Sequence, residues 1–151
     1  MMKLRLNTRF ADAIHTLSLI YVRSDQNINS TQIAGSVNTN PVVIRRLIAD
    51  LKKANLVATS QGKAKIELVK TPNKITLLEI YEAVDNGHLL NVDTNTNLNC
   101  IIGGNIQSVL SDYYKELESN VKQQLAKKTL ADMIDKILTN ARTKEKNKNE
   151  Q

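Results

Sequence analysis

Apolar residues at Phe10, Ala13, Ile14, Leu17, Ile20 and Tyr21 recur at three- and four-residue intervals behind a cap at Asn7 or Thr8, predicting a first helix with one inward face. The polar run from Ser24 to Asn29 ends it, and Ser30 is placed to cap a short helix over residues 31–37. After a break at Asn38-Thr39, Asn40 reads as a cap and Pro41 as the first helical residue, where a missing N–H costs nothing. This helix is expected to run to about Ala54, with Val43 or Ile44, Leu47, Ile48 and Leu51 inward. Short helix, tight break and longer helix is helix-turn-helix spacing, although two ordinary core helices joined by a loop give the same pattern.

The next residues separate those readings. Leu56 to Thr59 and Lys65 to Val69 read as short strands, and Ser60-Gln61-Gly62-Lys63-Ala64 between them holds the Gly a hairpin loop needs. A helix-turn-helix followed by a β-hairpin predicts a winged helix: a mainly α fold with a small β-hairpin. Pro72-Asn73 breaks the pattern, and Thr76-Leu77-Leu78-Glu79 reads as a capping box opening a helix that stops near Gly87 and closes a first lobe over residues 1–87. Residues 88–99, rich in Asn and Thr, are expected to form a mobile loop.

Beyond Gly103-Gly104 lies the longest periodic segment, with Ile102, Ile106, Val109, Leu110, Tyr113, Leu117, Val121 and Leu125 on one stripe. At 1.5 Å rise per residue such a helix outreaches the lobe, so part of its stripe needs another cover. The simplest is its twin in a homodimer, with Ile106, Val109, Leu110, Tyr113, Leu117 and Val121 at the interface. Thr129 is expected to cap a last helix through Leu130, Met133, Ile134, Ile137 and Leu138. Residues 100–141 then form the dimerisation helices, and the polar tail over 142–151 is expected to be disordered.

Composition narrows the function. A chain of 151 residues suits one ordinary domain. It has no apolar run long enough to span a membrane and no signal-like opening, so a cytoplasmic protein is expected. One cysteine, Cys100, excludes an intramolecular disulfide framework, and four Tyr with one Phe leave little for base stacking. The net charge of +6 is one-sided: residues 1–70 hold eleven Lys/Arg against four Asp/Glu, and residues 71–151 hold ten against eleven. Seven of those cations lie in residues 41–70, the expected recognition helix and wing, which favours duplex DNA over a membrane as the polyanion partner. His15 and His88 lack metal-ligand spacing, acidic residues such as Glu118 fall at salt-bridge distance from lysines such as Lys122, and no phosphate loop or catalytic triad is present. An enzyme is not expected, and neither is a cofactor.

The opening LNTRFADAIHTLSLI, the segment STQIAGSVNTNPVVIRRLIADLKKANLV, the post-wing KTPNKITLLEIYEAVDNG and the late TLADMID together resemble the IscR/NsrR/CymR-type winged-helix transcription regulators, the Rrf-two family. The resemblance covers nearly all of residues 2–138 and is closest to the YwnA-like subgroup, whose members lack the metal-cluster ligands. It implies a dimeric DNA-binding regulator, most often a repressor; a homodimer with one recognition helix per half-site is expected to act on a palindromic operator. Cluster-binding members carry three cysteines before the long helix. This chain has only Cys100, and iron–sulfur clusters take about four protein ligands, so such a cluster is not expected. Arg45-Arg46 stands where Glu-Gln is frequent, and the wing is poorer in Gly, which implies a different operator.

Within that frame Arg45 and Arg46 are the leading DNA contacts, one for a guanine edge and one for phosphate, although solvated arginines on an exposed face are the plainer alternative. Asn38, Thr39, Asn40 and Val42 lie at the entrance of the recognition helix, where Asn40 also serves as a cap. Thr31 and Gln32 are candidate phosphate donors beside a helix N-terminus. Gln61, Lys63 and Lys65 on the wing, with Thr8 and Arg9 on the first helix, complete the expected contacts. Cys100 admits two readings, a redox-sensing thiol activated by a helix start or an inert packing residue buried beside Ile101 and Ile102. The rival functions are a winged helix used for protein–protein association and a thiol-based redox sensor with an unknown effector.

Overall fold

Three helices, α1 (Thr8–Val22), α2 (Ser30–Val37) and α3 (Pro41–Lys53), build the first half of the fold in a computed structural model that describes residues 8–60, 65–85, 90, 92 and 94–150. Asn29, one residue before the expected Ser30, caps α2. Its side chain accepts from the Gln32 N–H while Gln32 Oε1 accepts from the Asn29 N–H, both at 2.9 Å. A cap at Ser30 would place Ile33 at the reciprocal position, where no acceptor exists. Asn38 ends α2 in the left-handed conformation (φ 63°), and the N–H groups of Asn38 and Thr39 both reach the Ala34 carbonyl. Asn40 then accepts from Val42 N–H at 2.9 Å and Pro41 opens α3.

The α3 stripe buries Ile44, Leu47, Ile48 and Leu51 against Ala13, Leu17 and Ile20 of α1 and Ile33 of α2, while Val43 faces out. Each such side chain contributes about 1.5–3 kcal/mol of burial. Tyr21, expected inward, is half exposed in the last turn of α1. Strands β1 (Val57–Thr59) and β2 (Ile66–Leu68) pair antiparallel, Val57 opposite Leu68 and Thr59 opposite Ile66, and Val69 N–H extends the ladder to the Leu56 carbonyl (3.0 Å). The expected winged helix is therefore present.

A single 3₁₀ turn (Pro72–Lys74) leads into α4 (Leu77–Val84). Thr76 caps α4 by accepting from Glu79 N–H at 3.1 Å. The Glu79 carboxylate accepts from Lys70 (2.6 Å) and from the Thr76 hydroxyl (3.5 Å), so the expected capping box closes on one side only. The starts of α4 and α6 (Leu130–Asn149) are tied together: Leu77 N–H donates to Lys128 O (2.9 Å) and Leu130 N–H to Ile75 O (2.8 Å). Thr129 and Asp132 close a full capping box on α6, whose Leu130 and Ile134 enter the core.

Two expectations change in this half. Helix α6 continues to Asn149 through the segment expected to be disordered. No Gly or Pro interrupts it, its Ala, Arg, Lys and Glu are good helix formers, and the hydroxyls of Thr139 and Thr143 donate to carbonyls four residues back. Helix α5 (Ile106–Ala126) splits the expected dimer stripe. Leu117 and Val121, with Tyr114 and Leu125, pack on Tyr81 and Leu90 of their own chain, whereas Ile106, Val109 and Tyr113 stay exposed and Leu110 half-buried. The stripe divides because a straight helix drifts from a fixed repeat, so its two ends present different faces. Ile102 lies in the turn before α5, outside the helix.

Candidate nucleic-acid interface

Burying Ile44, Leu47, Ile48 and Leu51 forces the opposite face of α3 outward. Val42, Arg45, Arg46, Ala49, Lys52 and Lys53 follow one another at helical spacing along that face, and all are exposed. The helix carries one acidic residue, Asp50, and Arg9 of α1 pairs with it while also donating to the Val84 carbonyl (3.2 Å). Four cations on α3 are thus left with no competing charge of their own helix.

A cleft of about 420 Å³ runs beside this face. Arg45 and Lys52 line it from α3, Asn29 and Ser30 from the start of α2, and Thr59 and Ile66 from the hairpin. The start of α2 contributes donors as well: its cap occupies the N–H groups of Gln32 and Ile33, leaving those of Ser30 and Thr31 for an anion. The start of α3 differs, since Pro41 has no N–H and Asn40 takes those of Val42, Val43 and Ile44.

The structure sorts the expected contacts. Thr31, Val42, Arg45 and Arg46 are exposed around the helix-turn-helix, and Thr39 is half-buried in the turn. Asn38 and Asn40 are exposed but hold the turn, one by its left-handed backbone and one as a cap. Gln32 lends its carbonyl oxygen to the α2 box. Arg9, expected to reach phosphate, is engaged with Asp50 and Val84, because the α1 start lies against the α3 and α4 ends; Thr8 beside it is exposed. Lys65 pairs with Glu67 at 3.2 Å. Gln61 and Lys63 lie outside the described residues. Lys52 was not expected, yet it sits seven residues from Arg45, two helical turns along the same face, and that spacing is readable in the sequence.

Cys100 is exposed, which overturns its reading as a buried packing residue. Ile101 and Ile102 are 81% and 67% exposed, because the loop folds on its own polar groups. Thr96 Oγ1 donates to Gly103 O (2.7 Å), Gly104 N–H to Cys100 O (2.8 Å) and Asn105 Nδ2 to Ile101 O (2.7 Å). A side chain at Gly103 would collide with the Asn97 carbonyl, so this packing needs glycine there. Backbone N–H groups of Gly103 and Ile102 face the sulfur and lower the thiol pKa. Among the described residues no three His, Cys, Asp or Glu are grouped to hold a metal ion, and no helix is long and apolar enough to cross a membrane.

Comparison with known proteins agrees with this geometry. Residues 6–136 match the model of the Rrf2 family, described as iron-dependent transcriptional regulators. A Bacillus subtilis protein named as an HTH-type transcriptional regulator, YwnA, is 41% identical over 133 residues, spanning 87% of this chain and 98% of the relative. A crystal structure described as a DNA-binding protein is 40% identical with a TM-score of 0.69, covering 83% of this chain and 98% of its own. T. potens IscR (18% identity, TM-score 0.65, 89% and 88% covered) and the B. subtilis cysteine regulator CymR (17%, 0.63, 88% and 98%) share the fold. One cysteine in the whole chain does not fit an iron–sulfur cluster, which takes about four protein ligands.

Proposed function

The chain belongs to the Rrf2 family of transcriptional regulators, and from that premise we propose that it is a repressor that binds a palindromic operator in duplex DNA as a homodimer. The observation that carries the reading is the outward face of α3, cationic along its length while the helix's one carboxylate is held by Arg9. Laid in a major groove, such a face offers Val42 and Arg45 or Arg46 to base edges at the helix entrance and Lys52 and Lys53 to phosphates further along. Arg suits guanine because its planar fork matches the O6 and N7 acceptors together, whereas Lys neutralises phosphate without reading sequence. The free N–H groups at the α2 start and the hairpin beside Arg45 would flank the same stretch of backbone.

Homodimerisation is supported by the exposed α5 residues Ile106, Val109 and Tyr113, preceded along the chain by the exposed Leu98, Ile101 and Ile102. An apolar ridge of this kind is costly to leave in water and marks an association surface. A two-fold dimer would set two α3 helices about 34–36 Å apart, one DNA turn. The exposed, acid-shifted Cys100 favours a second element: oxidation or alkylation of this thiol would alter the ridge beside it and so the dimer.

Selection of bound duplexes from a random pool tests the whole reading. Recovery of one inverted-repeat motif, bound in discrete complexes that random DNA does not displace, is the expected outcome. Enrichment of no motif, with equal affinity for every duplex, would favour the protein-association module instead.

A further inference from the structure

Two valines in the first turn of α3 keep much of their surface in water: Val42 is 46% exposed and Val43 41%. They face different ways. From Val42 the helical spacing runs through Arg46, Ala49 and Lys53, all exposed, along the line opposite the buried Ile44, Leu47, Ile48 and Leu51. Val43 lies four residues before the buried Leu47, at the side of that face. Val42 is thus a large apolar side chain in the middle of a surface otherwise built of cations and one alanine, and among the described residues it joins neither apolar cluster. Its presentation is fixed. Asn40 Oδ1 accepts from the Val42 N–H at 2.9 Å, Pro41 sets φ just before it, and a β-branched side chain in a helix keeps essentially one χ1 rotamer. Nothing within the chain rewards a stiff apolar group here, since the first turn of a helix favours carboxylates.

We infer that Val42 reads the 5-methyl group of a thymine in each operator half-site; the inference rests on α3 lying in the major groove. Every base pair there offers hydrogen-bond donors or acceptors, and the one apolar group on the groove floor is the thymine methyl. Valine has no polar atom, so against the amino group of cytosine or adenine it displaces water and returns no hydrogen bond, which discriminates against those bases. Against the methyl group it removes apolar surface of both partners from water. Ala49, two turns further along the same line, has no bulk to hold the helix off the groove floor. Arg46 follows Val42 by about one turn, 5.4 Å of helix axis, and base pairs stack about 3.4 Å apart, so the thymine falls within about two base pairs of the guanine read by Arg45 or Arg46.

The full chain is used to select duplexes from a random pool, and each thymine of the recovered half-site is then replaced singly by deoxyuridine, which lacks the methyl group and keeps every hydrogen-bonding edge. Fluorescence anisotropy is expected to show one sensitive position, within about two base pairs of the guanine whose replacement costs most, where loss of the methyl weakens binding about fourfold, the transfer cost of one such group. In Val42→Ala the same replacement is expected to change affinity by less than about twofold, whereas in Val43→Ala the about fourfold loss remains. Both valines are exposed, so both variants are expected to keep the wild-type urea midpoint. A motif in which no deoxyuridine weakens binding overturns the inference and leaves operator binding standing. A methyl effect undiminished in Val42→Ala also overturns it, as does one lost only in Val43→Ala, which moves the contact to the other valine. Enrichment of no motif overturns the DNA reading itself, and the inference falls with it.

Discussion

Arg9 on α1 and Asp50 on α3 form an ion pair that joins two helices, and the same guanidinium holds the Val84 carbonyl at the end of α4. Both side chains are more than a third exposed, so solvent screening limits the pair to about 0.5 kcal/mol of stability. Its larger effect is on charge. Arg9→Ala is expected to weaken operator binding severalfold by uncovering the Asp50 carboxylate, and Arg9→Ala with Asp50→Ala to recover it. Affinity measured at one salt concentration across the four-member cycle checks this. A double variant as weak as Arg9→Ala alone would mean that Arg9 touches phosphate directly.

That pair also marks where the sequence stops being legible. The helix-turn-helix and hairpin follow from local signals, since Asn40-Pro41, the 44-47-48-51 stripe and the two short runs at 56–59 and 65–69 each act within a few residues. Which residues answer one another across helices does not, because Arg9 and Asp50 are forty-one positions apart and either alone reads as a solvated charge. The same limit split the α5 stripe: periodicity shows that Leu117 and Val109 are apolar on a helix, but only the placement of Tyr81 and Leu90 gives Leu117 a partner in its own chain. The exposure of Cys100 is hidden from the sequence for a related reason. Its isoleucine neighbours suggest burial, while the polar bonds of Thr96 and Asn105 that turn them outward are invisible in a hydropathy pattern.

Arg45 and Lys52 line one cleft but should fail differently. Arg45→Ala is expected to cost about 1–3 kcal/mol on the operator and much less on random duplex, as removal of a base contact does. Lys52→Ala should weaken both DNAs alike and reduce the salt slope by about one phosphate. Fluorescence anisotropy on both duplexes over a salt series separates the two; identical profiles would remove the distinction between reading and neutralising.

Asn38 combines a backbone role with an exposed amide. Alanine at φ 63° costs about 1–2 kcal/mol, whereas glycine accepts that conformation freely. Asn38→Ala is therefore expected to lower both stability and operator affinity. Asn38→Gly should keep stability within about 0.5 kcal/mol in urea melts while still lowering affinity severalfold, through loss of the amide. Wild-type affinity in Asn38→Gly would confine Asn38 to holding the turn.

The Cys100 thiol should titrate below an ordinary cysteine, because the N–H groups of Gly103 and Ile102 stabilise its thiolate. The rate of alkylation by iodoacetamide follows the thiolate fraction, so its midpoint is expected at lower pH in the folded protein than in urea. The sign for stability follows: a pKa depressed on folding favours the fold above the unfolded value, and that contribution is lost as pH falls through the folded one. Coincident midpoints in native and unfolded protein would remove the special character of this thiol and weaken its case as a sensor.

The two faces of α5 differ in what a buried or exposed charge would cost. Val109 and Tyr113 are 64% and 56% exposed and, among the described residues, pack on neither apolar cluster, so charging them costs the monomer little. In a dimer the same charges would meet their symmetry mates across the two-fold axis, where like charges repel without solvent to screen them. Val109→Glu with Tyr113→Glu is therefore expected to sediment as a folded monomer with wild-type circular dichroism. Leu117→Glu instead places a carboxylate against Tyr81 and Leu90, and should lower the melting temperature by several degrees whatever the oligomeric state. Operator affinity gives the functional half. A monomer keeps one α3 and its phosphate contacts but loses the second half-site, so the double variant should bind an isolated half-site as the wild type does and lose its preference for the inverted repeat. A double variant that still sediments as a dimer would place the interface on another face and leave the ridge at the α5 start without its assigned role.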